Sequence, residues 1–203
     1  MYILSDTNTI ICVLHENNIG YVCPDLVKEY NKYDTDPSRF HTLEQTNPST
    51  NKSFSIDIGY ERFLGPELFF SPEIFSSDYT DSLPVVVDRT IQSCPIDTRR
   101  ALYSYISLSG GSTMFRHFPR RLERDIRNIV KERSDINISK NKLIDTKTID
   151  VNVISHAFQR YAVWFGGSML ASQPQFLQHF HTRAEYNEQG PRIVRANAAF
   201  NTV

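Results

Sequence analysis

The segment Ile106–Phe115 has the composition of a turn that binds a phosphate or a ribose. A predicted strand at Tyr105–Leu108 leads into two glycines flanked by two serines, and a predicted helix begins a few residues later. Glycine lets a backbone approach a ligand closely, and free N–H groups near a helix start attract phosphate or ribose oxygens. The candidate binding residues are Gly110, Gly111, Ser112, Met114 and Phe115. The last two could flank an adenine ring.

The pattern alone leaves two interpretations open, a nucleotide site and an ordinary glycine turn after a strand. The sequence contains neither a Gly-x-x-x-x-Gly-Lys-Ser/Thr loop nor a Gly-x-Gly-x-x-Gly fingerprint. No arrangement of serine, cysteine, histidine and aspartate with the spacing of a nucleophilic site is recognisable. The strongest interpretation from these residues is therefore an α/β domain with a nucleotide-binding edge.

Histidines and cysteines give no strong metal signal. His179 and His181 alternate, and His156 lies upstream, but no cysteine stands at ligand spacing from them. Paired surface histidines are the simpler interpretation, because a metal site also needs a third ligand and its supporting contacts. The odd number of cysteines predicts free thiols in a reducing compartment. They are Cys12, Cys23 and Cys94.

The strongest local charge lies between Arg116 and Arg133, a segment that contains seven cationic and three acidic residues. The simplest interpretation is the solvated face of a helix, which an acidic partner could meet. The whole chain has 22 basic and 23 acidic residues and a formal net charge of -1. This balance argues against a nucleic-acid binder.

The composition indicates a soluble globular protein. The 203 residues are 40% apolar and 22% charged, enough for one sizeable core or two small ones. No stretch approaches the roughly 18 to 20 uncharged apolar residues of a membrane span. The first residues lack the basic start of a signal peptide. We therefore predict a cytoplasmic protein without a membrane span.

Hydrophobic periodicity predicts interleaved helices and strands, which indicates an α/β or α+β class. The predicted helices begin near Pro24, Leu83, Pro95 and Phe118, with strands at Phe54–Ile58, Tyr105–Leu108 and Ile149–Val153 and polar loops over 34–53 and 132–147. Capping-box patterns start at Ser172 and Thr182. Trp164 and its aromatic neighbours are predicted to be core residues.

Longer motifs resemble the actin superfamily. Leu108–Phe115 and Tyr161–Ser172 are similar to its C-terminal half, and Glu185–Val194 resembles its C-terminal helix. Motifs that resemble one group of actin-related proteins are Tyr21–Asp34, Ile58–Glu67, Cys94–Asp97 and Gln159–Trp164. The resemblance covers residues 21–194, broken by loops at 39–53 and 132–148. It leaves 1–20 as a divergent segment and 195–203 as a tail.

The resemblance implies the actin-like ATPase fold, which is ribonuclease H-like, with two related α/β halves and ATP in the cleft between them. This chain would form the C-terminal half, incomplete by itself: the end of a helical subdomain, a nucleotide-edge subdomain and C-terminal helices. By motif, the glycine turn and the residues after it would lie along the adenosine and phosphates. Arg160 falls where the family places a basic residue near the adenine.

The resemblance also implies a function: an ATP-binding subunit of a complex that nucleates branched actin filaments by mimicking a filament end. Its partners would be a second actin-related protein, further subunits and actin filaments at the cell cortex and projections. The phosphate hairpins that hold Mg²⁺ and the phosphates have no counterpart in this sequence, so we expect no ATP hydrolysis by this chain alone. We therefore interpret the chain as a truncated form or a partial gene model. The alternatives are a regulatory short form that binds partners without nucleating and an independent nucleotide-binding module.

Overall fold

Helices and short strands alternate along the chain in the computed structural model, which describes residues 19–46, 51–141, 149–178 and 180–196. The chain forms two units that separate after Arg160. The first unit contains α1 (Leu26–Thr35), β1 (His41–Thr46), β2 (Ser53–Ile58), α2 (Glu61–Glu67), α3 (Leu83–Ser93), α4 (Ile96–Ser104), β3 (Ile106–Ser107), α5 (Phe118–Asn141) and β4 (Val153–Ile154). The second contains α6 (Ala162–Ala171) and α7 (Arg183–Gln189). Within these described ranges, no helix is both long and apolar enough to span a membrane.

Helix α5 provides the centre of the first unit's core. Four of its apolar side chains repeat every fourth residue and so share one face, and all four are buried. They are Phe118, Leu122, Ile126 and Val130. Burying one such side chain contributes about 1.5–3 kcal/mol. Tyr103 of α4 and Ile91 of α3 pack into the same core, so α5 holds α3 and α4 in place.

Strands β3 and β4 run parallel, with Ile106 opposite Val153 and Ser107 opposite Ile154. The long helix α5 lies between them in sequence, which is the crossover that a parallel pair requires. The carboxyl ends of parallel strands meet at one edge of a sheet, the usual place for ligands in α/β folds. The glycine segment after β3 and residues 155–159 after β4 therefore meet at this edge.

The antiparallel hairpin of β1 and β2 corrects the predicted loop over 34–53. Strand β1 lies inside that range and pairs with β2, and Thr42 donates a hydrogen bond to Asp57 across the strands at 2.6 Å. The segment is polar because most of the hairpin is exposed. A strand stabilised by pairing with another segment carries a weak local signal.

Helix α5 continues ten residues beyond Lys131 and so corrects the start of the loop predicted over 132–147. Residues 132–141 contain neither glycine nor proline, so nothing in them breaks a helix. Arg133 also bonds to Asp88 of α3, which fixes this extension against the first unit. The remainder of the predicted loop, residues 142–147, lies outside the described residues.

Helix α6 of the second unit exposes apolar side chains where the sequence predicted a core. Trp164 is 72% exposed and Val163 is 78% exposed, and none of the ten residues of α6 is buried. The helix is apolar on all sides, and the described residues of its unit form only short helices that cannot cover it. The core assignment of Trp164 was therefore wrong for this chain.

We expect the exposed residues of the second unit to make the chain self-associate and bind a hydrophobic dye. Replacing Trp164 and Met169 together with glutamine should lower dye fluorescence by about twofold or more, because both are more than half exposed. Tyr79→Gln, which removes an exposed aromatic ring from the first unit, serves as the control. A monodisperse monomer that binds no dye would contradict this expectation.

Candidate functional site

Gly110 lies at the carboxyl edge of the parallel strands in a conformation that favours glycine. Its φ is +94°, an angle that residues with a side chain rarely adopt. Its N–H donates a hydrogen bond to the carbonyl of Gln159 at 2.9 Å. A Cβ placed on Gly110 would meet no heavy atom within 4 Å. The glycine is thus required by its dihedral angle, and the backbone here lies open to a ligand. A short 3₁₀ helix, Gly111–Met114, follows.

Gln159 joins the two loops that meet at this edge. Its side chain is buried, and Nε2 donates to the Thr113 hydroxyl at 2.6 Å and the Thr113 carbonyl at 3.2 Å. Thr113 in turn donates to the Gly110 carbonyl at 2.8 Å. The turn is therefore held by hydrogen bonds from a residue 46 positions later. A role for Gln159 could not be predicted from the sequence, because nothing in its local spacing marks it.

The His156 ring forms a hydrogen bond to the backbone at the end of β3. Its Nε2 lies 3.0 Å from the Leu108 carbonyl, which fits the tautomer that donates from Nε2. Among the residues that the structure describes, no group of three histidine, cysteine or carboxylate side chains could hold a metal ion. His179 lies outside the described residues. His156 thus helps to hold the end of β3 in place.

The other predicted site residues lie on or next to the same turn. Ser112, Met114 and Arg160 are exposed, and Gly111 is half-buried. Phe115 differs, because its side chain is 3% exposed and belongs to the core. Its predicted place beside an adenine would require the ring to leave that core. The ligand contacts of these residues stay predictions.

We expect the Gln159 amide to stabilise the turn measurably. Gln159→Leu should lower the free energy of unfolding by about 1–3 kcal/mol, because the hydrogen bonds to Thr113 are lost inside a buried site. Urea denaturation followed by circular dichroism would measure the change. Gln175→Leu, at an exposed position, is the control and should stay within about 0.5 kcal/mol. Equal effects of the two substitutions would show that the amide does not hold the turn.

A buried polar network, Cys23–Glu67–Arg121, connects three segments of the first unit. Glu67 is 1% exposed and accepts hydrogen bonds from Ser71 at 2.9 Å and from Arg121 at 3.2 Å. Arg121 also pairs with Asp125 at 2.6 Å and donates to the Cys23 carbonyl. The predicted solvated face of α5 is therefore wrong at Arg121, which turns into the protein.

The Cys23 thiol is not set up as a nucleophile. Burial, and then the neighbouring negative charge of Glu67, raise its pKa to about 12, and its sulfur lies 3.7 Å from a Glu67 oxygen. Reactive cysteines need the opposite environment, because the thiolate is the attacking form. Cys23 and its partners therefore hold segments together.

A second buried polar cluster joins α3, α4 and α5. The Tyr103 hydroxyl donates to Asp88 at 2.6 Å and accepts from Gln92 at 2.9 Å, while Arg133 pairs with Asp88. Tyr103 is fully buried, and this burial raises its pKa above the usual range. The cluster therefore ties α3, α4 and α5 to one another.

The chain matches a known protein family over most of its length. The actin family model matches residues 6–199, which is nearly the whole chain. The chain therefore belongs to the actin family, which confirms the family and the actin-like fold predicted from the motifs. The match begins ahead of residue 21, where the predicted resemblance starts; the predicted domain bounds stay predictions.

The most informative relatives are all one kind of actin-related protein. The chain is 55% identical to actin-related protein 3 of Acanthamoeba castellanii over 192 residues, which are 93% of the chain and 44% of the relative. It is 57% identical to actin-related protein 3 of Dictyostelium discoideum over 91% of the chain and 44% of the relative. It is 54% identical to actin-related protein 3 of Saccharomyces cerevisiae over 90% of the chain and 40% of the relative. The chain thus spans less than half the length of the curated relatives it matches.

Proposed function

We propose that this chain is the C-terminal portion of a subunit of the actin-related protein 3 type. It works with actin-related protein 2, further subunits and actin filaments to nucleate branched filaments in the cytoplasmic actin cytoskeleton, by mimicking a filament end. The observation that carries the proposal is sustained identity of 54–57% to actin-related protein 3 of four organisms over at least 90% of the chain. The interaction role follows from this identity.

The open turn at Gly110 supports a contribution to nucleotide binding. Actin-family proteins bind ATP with Mg²⁺, and the residues here suit its adenosine end: open space beside the Gly110 backbone, a hydroxyl on Ser112 and the thioether of Met114. Gln159 holds these groups in position through Thr113. Bound ATP would carry the negative charge of its phosphates and would be a ligand that the two halves of the fold share. This chain's residues would bind and orient the adenosine.

We do not expect the same edge to activate water. Its assigned residues include neither a carboxylate nor a lysine, and the sequence has no counterpart of the family's phosphate hairpins. Phosphoryl transfer depends on positioning and charge stabilisation around the phosphates, which those hairpins provide. The chain alone is therefore not an enzyme in this proposal, and Mg²⁺ and the terminal phosphates need residues from elsewhere.

The proposal is tested by reconstitution. The purified, tagged chain is mixed with the other recombinant subunits of the complex, prepared without their own actin-related protein 3, and captured by its tag. We expect actin-related protein 2 to be captured with it, and polymerisation of fluorescent actin to show no nucleation by the chain alone. Capture of actin-related protein 2 without nucleation by the assembled complex would favour the regulatory short form. Failure to capture any subunit would contradict the proposal.

An independent nucleotide-binding module is the second candidate, favoured by the open backbone of Gly110 at the carboxyl edge of two parallel strands. The two candidates differ in how the isolated chain treats Mg-ATP. Titration calorimetry with Mg-ATP, together with a phosphate-release assay, separates them. Tight binding with turnover would support the module; weak binding without turnover fits the subunit.

A further inference from the structure

A concave pocket of about 340 Å³ lies in the first unit, apart from the Gly110 turn. Three arginines line it, together with Tyr21, Glu29 and His117. The arginines are Arg39, Arg62 and Arg116. None of the predicted nucleotide-site residues contributes to its lining. The pocket therefore needs its own explanation.

Backbone hydrogen bonds between separate segments hold this arginine pocket in shape. The Tyr21 N–H donates to the Arg62 carbonyl and the Val22 N–H to the Arg116 carbonyl, both at 2.9 Å. The Arg62 side chain is itself anchored, since it donates to the carbonyls of Ile19 at 3.3 Å and Arg39 at 2.9 Å. The pocket is thus preformed, which lowers the cost of ordering it around a ligand.

The pocket carries excess positive charge at close range. The guanidinium carbons of Arg62 and Arg116 lie 5.5 and 5.9 Å from the centre of the Tyr21 ring. Among the described residues of the lining, Glu29 is the one carboxylate, and it is already engaged by Lys32 at 2.7 Å and by the Tyr21 hydroxyl at 2.8 Å. Arg39 pairs with Asp36 at 3.3 Å, outside the lining. Three guanidinium groups in one lining therefore favour an anion as the ligand.

His117 adds an unusual backbone conformation to the pocket wall. Its φ is +71°, in the left-handed region that residues other than glycine enter at a cost. Such strain persists where the surrounding structure enforces it, and it clusters at ligand sites. Here the neighbouring Arg116 carbonyl is fixed by Val22, and the conformation places His117 in the lining.

We propose that the arginine pocket binds a small phosphate-bearing anion, of the size of pyrophosphate or a phosphate ester. Guanidinium groups bind phosphate oxygens with paired, charge-assisted hydrogen bonds, and a doubly charged oxyanion balances the charge of two of them. The volume lies at the lower end of small-molecule sites, which favours a compact ligand. The site is distinct from the adenosine edge, so it does not depend on the proposed function.

Calorimetric titration of the full chain with sodium pyrophosphate at constant ionic strength tests this site. We expect Arg116→Gln to weaken binding by about tenfold or more, because one charge-assisted contact is lost. Arg120→Gln removes the same charge from an exposed position of α5 that does not line the pocket, and it should leave the affinity within about twofold. Arg116→Lys, which keeps the charge but not the planar fork, should weaken binding by an intermediate factor. Urea denaturation of all three variants verifies that they fold.

Three results would overturn the proposal. The first is the absence of pyrophosphate binding by the folded wild-type chain. The second is an equal loss of affinity in Arg116→Gln and Arg120→Gln, which would show diffuse charge attraction. The third is binding of a hexaglutamate peptide that depends on Arg116 when pyrophosphate does not bind, which would assign the pocket to carboxylates of a protein partner.

Discussion

Replacing Arg121 with methionine should lower the free energy of unfolding by about 3–5 kcal/mol. The substitution leaves the buried Glu67 carboxylate with only neutral donors, the Ser71 hydroxyl and the Cys23 thiol, and it removes the hydrogen bond to the Cys23 carbonyl. A buried charge without its partner costs far more than the pair contributes, because desolvation is no longer compensated. Urea denaturation monitored by circular dichroism would give the difference.

Arg124→Met is the matched control for this prediction. Arg124 lies on the same helix, pairs with the same Asp125 and donates to the Pro24 carbonyl, but it is exposed. Its loss should cost no more than about 1 kcal/mol. The double variant Glu67→Met, Arg121→Met should recover much of the stability that Arg121→Met loses, since no buried charge then remains. Equal effects of Arg121→Met and Arg124→Met would contradict the account of this network.

Replacing Asp88 with alanine should cost about 2–4 kcal/mol. The carboxylate accepts a hydrogen bond from the buried Tyr103 hydroxyl and pairs with Arg133. Its removal therefore deprives this hydroxyl and this guanidinium of a partner in or near the core. Arg133 is partly exposed and can turn toward water, which places the expected loss below that for Arg121. Asp78→Ala, at an exposed position, should change stability by no more than about 0.5 kcal/mol. A loss at Asp88 no larger than at Asp78 would contradict this account.

From the cluster around Tyr103 and Asp88 we also expect the free energy of unfolding to fall at alkaline pH. Burial, and then the hydrogen bond to Asp88, raise the pKa of Tyr103 above its ordinary value of 10.0. The folded chain therefore holds this proton more tightly than the unfolded chain, and the stability is complete below pH 10 and lost as pH rises through the raised pKa. The Cys23 thiol acts in the same direction between about pH 9 and 12. Tyr103→Phe should reduce the slope of unfolding free energy against pH above 10; an unchanged slope would contradict the assignment.

Elements with a strong local pattern were predictable from the sequence. The helix predicted near Pro24 is α1, which Asp25 caps by accepting from the Lys28 N–H, and the capping box at Thr182 and Glu185 forms as expected. Local patterns did not reveal β1, because its stability comes from pairing with β2. Side-chain burial was less predictable: the apolar Val27 is 69% exposed, while the charged Glu29 is buried.

The candidate site was likewise predictable from the sequence only in part. The glycine turn could be predicted because its residue types and the strand before it are contiguous. Gln159 and Arg121 could not, because the groups they bind lie 46 and 54 residues away in sequence. A charged residue at a helix position is solvated in most proteins, so only the fold shows that Arg121 is drawn into the interior.

Immunoprecipitation of the native protein tests the central claim most directly, namely that the chain is part of an actin-related protein 3 subunit. Antibodies against residues 173–194 would be used on a lysate of the source cells, with mass spectrometry of the captured proteins. We expect actin-related protein 2 in near-equal amount with this chain, along with further subunits of the nucleating complex. Recovery of the chain without actin-related protein 2 or any other subunit would contradict the claim.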